Sequence, residues 1–445
     1  MLPELLPRPP AITVSEYRTR RDALMAQLPA NAAVVLPGAS LVTRSHDSEY
    51  AFRQNSDFYY LTGIIEPDAL LVLLPGREAG ESIVFCQDRD PTKEAWTGRR
   101  LGARGVEREH GIDQAFENAD RETLLPALLE GRELLYMPLA NPDALGIAEE
   151  AFSAALAGLR RGQAPLKGWL DVSGLIHEMR LIKSAAEIDL LRHAAAVSAK
   201  AHVRAMQVSR PGLFEYQLQA ELEHEFVWQG GSAPAYSTIV GGGANACVLH
   251  YIENDARLVD DTLVLIDAGV EFDLYAGDIT RTFPVGGRFS DAQRALYQVV
   301  LDAQERAVEA VKPGATLIDI HQTVVKDLTA GLMTLGLLEG DVQARIDDES
   351  YRRFYLHSTS HWLGLDVHDV GTYRLDEQTP RPLAAGMVLT VEPGLYIPDE
   401  DDIPEPYRGV GIRIEDNLVV TTHGHENLTL DVPKQVADIE ALMVK

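Results

Sequence analysis

The chain has 445 residues, 46% of them hydrophobic and 24% charged, and 67 acidic residues against 40 basic ones leave a formal charge of −27. That length exceeds what one hydrophobic core organises, so two domains are expected, and the apolar fraction excludes wholesale disorder. So acidic a surface repels phosphate backbones and anionic headgroups, which argues against sequence-blind nucleic-acid binding and against membrane attachment.

In chain order, the first ten residues carry Glu4 and several prolines and lack the apolar stretch of a secretory signal. Residues 1–175 alternate short apolar strands (33–36, 69–74, 82–86) with amphipathic stretches, the pattern of a small α/β domain. None of these runs approaches the roughly 18 apolar residues of a spanning helix. Cys86 and Cys247 are the chain's two cysteines. Reduced thiols in a cytoplasmic protein are expected, since a secreted disulfide scaffold would carry more. The segment 162–168, with Pro165, is the expected join, dividing the chain into 1–175 and 176–445. The first part holds 18 basic and 25 acidic residues (−7) and the second 22 and 42 (−20), so most of the excess acid lies in the second.

From there the pattern is regular. Ser184 and Glu187 form a capping box that opens a helix ended by Pro211-Gly212. A second helix is expected over 213–228, then strands over 237–240, 262–266, 271–275 and 280–285. Ser290 and Gln293 restart the programme. Leu296, Val299, Val300, Ala303 and Ala307 make a helical stripe stopped by Pro313-Gly314, another helix covers 317–335, and strands return between 362 and 420. A helix pair followed by strands, twice over, predicts an α+β domain of two pseudo-equivalent halves with a curved antiparallel sheet.

Four acids interrupt these apolar strands. Asp267 ends 262–266, Asp278 stands in GDITRTF, Glu392 follows 387–391, and Glu415 follows Arg413 in GIRIEDN. Singly, each can end a strand and face water. Together they make a set that is costly to bury without a counter-charge. Three histidines, His357, His361 and His368, fall within twelve residues, and His250 lies in VLHY. The i, i+4 spacing of His357 and His361 suits one helix face, but the flanking Ser, Thr and Leu-Gly favour a loop entering a strand. Carboxylates plus imidazole without thiolate favour Mn, Co, Fe or Zn over copper, and four carboxylates suit two ions that together activate water. Hydrolysis of an amide or ester is the chemistry implied.

VLHYIEN, LVLIDAG, GDITRTFPV, SHWLGLDVHDVG, VLTVEPGLYI and GIRIEDN together resemble the metal-dependent pita-bread peptidases of the M24 type, and among them the aminopeptidase P group. The resemblance extends to QNSDFYYLTG and WTGRRLG near the amino terminus. It implies a pita-bread catalytic domain after an α/β domain that serves oligomerisation and substrate access. It also implies Asp267, Asp278, His361, Glu392 and Glu415 as ligands of two divalent ions, with manganese preferred and cobalt or zinc as alternatives. In it, Asp278 and Glu415 bridge the ions, His361 and Glu392 complete one, and Asp267 completes the other. His250, His357 and His368 take proton-handling and substrate-orienting roles, Glu392 shuttles protons, and Arg413 holds a liganding carboxylate near the bridging glutamate. Ser358 departs from the glycine often found after the first paired histidine. The implied activity is release of the amino-terminal residue from peptides with proline second, by attack of a hydroxide bridging the two ions. Prolidase, which cleaves Xaa-Pro dipeptides, is the alternative enzyme. A pita-bread binding module without catalysis is the alternative from another class, although all five ligand positions are filled. A homodimer or homotetramer is implied, with Trp96, Phe58, Tyr59 and Tyr60 as aromatics for such contacts or for ordinary core.

Overall fold

The computed structural model describes residues 4–158, 162 and 166–444. The chain forms two compact units, one of Ala11–Arg180 and one of Leu181–Lys445 together with the residues before Ala11. The helix Ser173–Leu181 runs across the division expected at 175/176. Arg180, hydrogen-bonded to Asp57 Oδ1 at 2.7 Å, ties that helix to the first unit, so the break falls after residue 180. Pro165 of the expected join lies outside the described residues.

The first unit is built on a six-stranded mixed sheet in the order Gln114–Glu117, Ser82–Cys86, Leu70–Leu73, Ala32–Pro37, Leu134–Met137, Gly168–Asp171. The central strands read as unbroken apolar runs and are buried along their whole length, as two-sided burial demands. Antiparallel pairing sets Val35 opposite Val72 and Leu71 opposite Val84. Leu125, Ala144, Ile147 and Ala148 from two helices close one core over this sheet. Phe58, Tyr59 and Tyr60 belong to the interior rather than to a contact surface: they are at most 6% exposed, on the short helix Ser56–Thr62. Trp96 is 87% exposed.

The second unit contains the repeated programme. Both capping boxes form, Ser184 with Glu187 and Ser290 with Gln293, and open the helices Ala185–Val208 and Asp291–Ala310. These pack against their successors Glu215–Trp228 and Leu317–Thr334. Each helix pair precedes an antiparallel sheet: Ile239–Gly242, Leu263–Asp267 and Thr280–Pro284 in the first half, and Val388–Val391, Asp416–Val420 and His425–Asn427 in the second. The halves are laced where the strands meet, with Glu415 N donating to Thr280 O at 3.0 Å and Arg413 N to Thr282 Oγ1 at 3.1 Å. One expectation fails in detail. The strand expected over 271–275 is a hairpin, Val270–Phe272 with Tyr275–Ala276. Its turn residues Asp273 and Leu274 have φ of 47° and 69°. A two-residue turn of that hand usually advertises itself by glycine, which is missing here.

Candidate active site

The strand Leu263–Asp267 buries Leu263, Val264, Leu265 and Ile266. Each contributes about 1.5–3 kcal/mol, so the strand is held firmly and its last residue, Asp267, is delivered to a fixed place. Asp278 lies between the strands Tyr275–Ala276 and Thr280–Pro284 rather than inside one. Asn417 replaces the missing ladder, accepting from Asp278 N at 3.0 Å and donating to Asp278 O. Glu392 and Glu415 occupy the corresponding breaks of the second half, after Val388–Val391 and between Gly411–Arg413 and Asp416–Val420. His357 and His361 lie in a loop, as expected from their flanks. That loop is registered to the strand Val388–Val391: Thr390 N donates to His361 O at 2.9 Å, and Glu392 N to Thr359 O at 2.8 Å.

The sheet ends converge on one cavity of about 940 Å³. Its walls hold all nine expected site residues: Asp267, Asp278, His361, Glu392 and Glu415, with His250, His357, His368 and Arg413. Ligand atoms of Asp278, His361 and Glu415 lie within 4.8 Å of one another. His361 donates Nδ1–H to Trp362 O at 2.9 Å, leaving Nε2 to face Asp278 Oδ2 and Glu392 Oε1, each at 3.4 Å. That fixes the tautomer a metal needs.

The electrostatics of the cluster are those of a site built around positive charge. Burial, aggravated by Asp278 and Glu392, pushes Glu415 well above the usual carboxylate range, and burial raises Asp278 too. Glu392 is driven to about 7 by burial against the pull of His361 and Arg413. For His361, burial opposes the charged form, but the hydrogen bond and field of Asp278, with Glu392, outweigh it and lift the imidazole to about 9. The phenol of Tyr236 stands 2.6 Å from Asp267 Oδ1 and 2.5 Å from Asp278 Oδ1. One phenolic proton cannot serve both carboxylates, so the second contact needs a further proton or a cation. Hard oxygen donors with one imidazole therefore fit divalent ions; Asp278, His361 and Glu415 bring their ligand atoms together, and Asp267 and Glu392 line the same cavity.

Around the ligands runs a hydrogen-bond shell. Arg413 donates to Asp267 Oδ2 at 2.7 Å, Tyr396 Oη at 2.8 Å and Thr280 Oγ1 at 3.1 Å. Thr280 in turn donates to Glu415 Oε2 at 2.7 Å. Arg413 thus grips Asp267 directly and reaches Glu415 only through Thr280. Tyr396 continues the chain to His357 Nε2 at 2.8 Å, while His357 Nδ1 is 2.8 Å from Ser358 O. Burial and then the charge of Arg413 depress His357 to about 3, so it is a neutral imidazole with both nitrogens engaged. Ser358 is not among the residues of positive φ, so a side chain there costs no backbone strain. His250 and His368 make no hydrogen bond among the described residues, and the His368 ring lies 4.4 Å from that of His361.

Tyr236, Thr280, Tyr396 and Asn417 escaped sequence reasoning. Thr280, Tyr396 and Asn417 sit inside the motifs that carry the family resemblance. Tyr236, 31 residues before its partner Asp267, carries no local signal at all.

Comparison with known proteins agrees with this geometry. Residues 189–422 match the model of metallopeptidase family M24, and residues 17–136 match that of the aminopeptidase P N-terminal domain. An Xaa-Pro aminopeptidase of Escherichia coli (strain K12) is 46% identical over 439 residues, 97% of this chain and 98% of that relative. A Pseudomonas aeruginosa aminopeptidase structure superposes with a TM-score of 0.96 at 50% identity, covering 97% of this chain and 98% of the other. Zinc-substituted Escherichia coli aminopeptidase P in complex with product gives 0.95 at 46% identity, covering 98% and 99%.

Proposed function

Because the chain belongs to metallopeptidase family M24, we propose that Asp267, Asp278, His361, Glu392 and Glu415 hold two divalent ions in the service of its peptidase activity. The protein is an Xaa-Pro aminopeptidase, a hydrolase that releases the amino-terminal residue from peptides with proline in second position. The ligand assignment is carried by one observation: Asp278, His361 and Glu415 converge within 4.8 Å, with Asp267 and Glu392 in the same cavity. When bound, the ions supply a water acidified for attack and a Lewis acid for the scissile carbonyl.

The chain's own residues do the rest. Glu392, in the cavity wall with Oε1 3.4 Å from His361 Nε2, takes the proton of the attacking water and passes it to the leaving nitrogen. His250 and His368, which line the cavity without hydrogen bonds among the described residues, orient the carbonyl; His357 acts through Tyr396 and Arg413. Proline explains the need for such contacts, because its peptide nitrogen has no N–H for a backbone to recognise.

Manganese is the favoured ion on the hardness of four carboxylates. The cytoplasm is the favoured compartment, supported by two cysteines that are both free and by the lack, among the described residues, of any helix long and apolar enough to cross a membrane. The amino-terminal unit serves assembly into a homodimer or homotetramer and access of substrate, a role supported by the exposure of Trp96. The test is metal-depleted protein reconstituted with Mn, Co or Zn and assayed on Xaa-Pro, Xaa-Pro-Yaa and Xaa-Ala-Yaa peptides. Metal-dependent cleavage of Xaa-Pro-Yaa is expected. Cleavage of the dipeptide alone would identify a prolidase, and no hydrolysis would leave a binding module.

A further inference from the structure

Glu215 is a fully buried carboxylate at the first position of the helix Glu215–Trp228, and no cation pairs with it among the described residues. Burying a charge in this way is costly unless hydrogen bonds to the charged form repay it. Four neutral donors do so. Gly242 N at 2.7 Å and Asn245 Nδ2 at 3.0 Å reach Oε1, while Tyr251 Oη and Ala256 N, each at 2.9 Å, reach Oε2. Glu215 N also donates to Ala256 O at 3.0 Å.

All four donors come from one segment, 242–256, two from its beginning and two from its end. Between them the segment supplies Leu249, His250 and Ile252 to the cavity wall. Tyr251 is buried toward Glu215, whereas its neighbour His250 is exposed to the cavity, so the same alternation that satisfies the carboxylate aims the imidazole. A Cβ on Gly242 would stand 3.3 Å from Glu215 Oε1 and 2.7 Å from Leu258, which explains a glycine where the carboxylate meets the backbone. Asn254 adds a second fastening, accepting from Val240 N at 3.0 Å and donating to Thr238 O at 2.8 Å. None of the five metal ligands belongs to this segment.

We propose that Glu215 is a positioning residue for the peptidase reaction, closing the segment 242–256 on its two carboxylate oxygens so that His250 meets the substrate carbonyl. The proposal rests on the substrate-orienting role of His250 in the proposed function. Misplacing a substrate-orienting group by about 1 Å costs on the order of 100-fold in rate. Glu215→Gln replaces one acceptor by a donor, so a backbone N–H of the segment, Gly242 or Ala256, loses its acceptor.

A double-mutant cycle on the metal-loaded enzyme with an Xaa-Pro-Yaa peptide tests this. Glu215→Gln is expected to lower kcat/KM by about tenfold or more and Tyr251→Phe by about threefold, with the same division between kcat and KM as His250→Ala. In the His250→Ala background each should cost less than about twofold more, with two metals per chain retained throughout. Equal losses in both backgrounds, or loss of metal, would mean Glu215 serves only folding and would overturn the proposal. If Glu215→Gln does not fold, Tyr251→Phe, which keeps three of the four bonds, separates coupled from independent loss in the same way. Full activity of His250→Ala would overturn the proposal at its premise, an outcome distinct from failure of coupling.

Discussion

Arg413 Nη2 and Asp267 Oδ2 lie 2.7 Å apart, with both side chains nearly removed from solvent. The guanidinium holds one oxygen of Asp267 while Tyr236 takes the other, so the carboxylate's plane is set before any ion arrives. The two remaining contacts of Arg413, to Tyr396 and Thr280, need the planar fork. Arg413→Lys should therefore keep the charge yet weaken metal binding by about 10- to 100-fold, the usual cost of losing an outer partner of a ligand. Isothermal titration of metal-depleted protein checks this, and unchanged affinity would show that the fork is dispensable.

Glu392→Gln separates proton transfer from metal retention. Gln keeps the shape and one donor oxygen but cannot carry a proton at neutral pH. At saturating metal, kcat on Xaa-Pro-Yaa should fall by about 100-fold or more, the scale of general acid–base catalysis. Full turnover with two ions bound would make Glu392 a ligand and nothing else.

The raised acids and raised His361 fix a sign for pH. A group whose folded pKa lies above its unfolded value stabilises the folded protein below the unfolded pKa and loses that contribution as pH rises through the folded one. Metal-free protein should thus lose stability as pH rises through about 7 for Glu392 and about 9 for His361. Metal binding displaces those same protons, so it should strengthen over that window. Melting curves at pH 6 and pH 9 should show the metal-induced rise in Tm growing by about 5 °C or more at the higher pH. A metal effect that shrinks with pH would contradict the protonated cluster.

Much of this site is legible in sequence because its ligands break a strong local rule. An acid that ends an apolar strand, as Asp267 ends 263–266, stands out against its neighbours; Glu392 repeats it in the second half, and Asp278 and Glu415 stand at matching breaks between strands. Capping boxes mark the helix starts for the same reason, being local reciprocal bonds with fixed spacing. What stays hidden is non-local. Tyr236 acts on Asp267, 31 positions away, and nothing in its flanks announces it; Asn417 lies in GIRIEDN, yet its partner Asp278 is 139 positions away. Arg413 reads as the holder of a liganding carboxylate, but which one is decided across the sheet, where its fork meets Asp267. The three aromatics 58–60 leave contact surface and core both open for a related reason: a short helix buried on all sides has no polar face to reveal its period.

Behind Glu415 lies a fully buried pair, Arg281 with Asp416, at 2.6 Å. Asp416 also accepts from Lys434 at 2.7 Å, Gln304 at 2.9 Å and Thr429 at 2.9 Å, while Arg281 donates to the carbonyl of Glu415. Burial alone would raise Asp416, but Arg281 and Lys434 outweigh it and hold the carboxyl far below its usual value. Its stabilising effect is therefore complete above the unfolded value near 3.8 and is lost only in stronger acid. Asp416→Asn leaves two cations without their anion, which costs about 3–5 kcal/mol when a buried pair is broken. Glu426→Gln, at an Arg192 pair about two-fifths exposed on each side, should cost less than about 1 kcal/mol. Chemical denaturation between pH 5 and 8 should show the Asp416 loss constant across that range, since neither state of its carboxyl changes protonation there. A loss that varied with pH in that window would mean the cluster titrates through its cations or through Glu415, and that the pair does not act as a fixed brace for the ligand beside it.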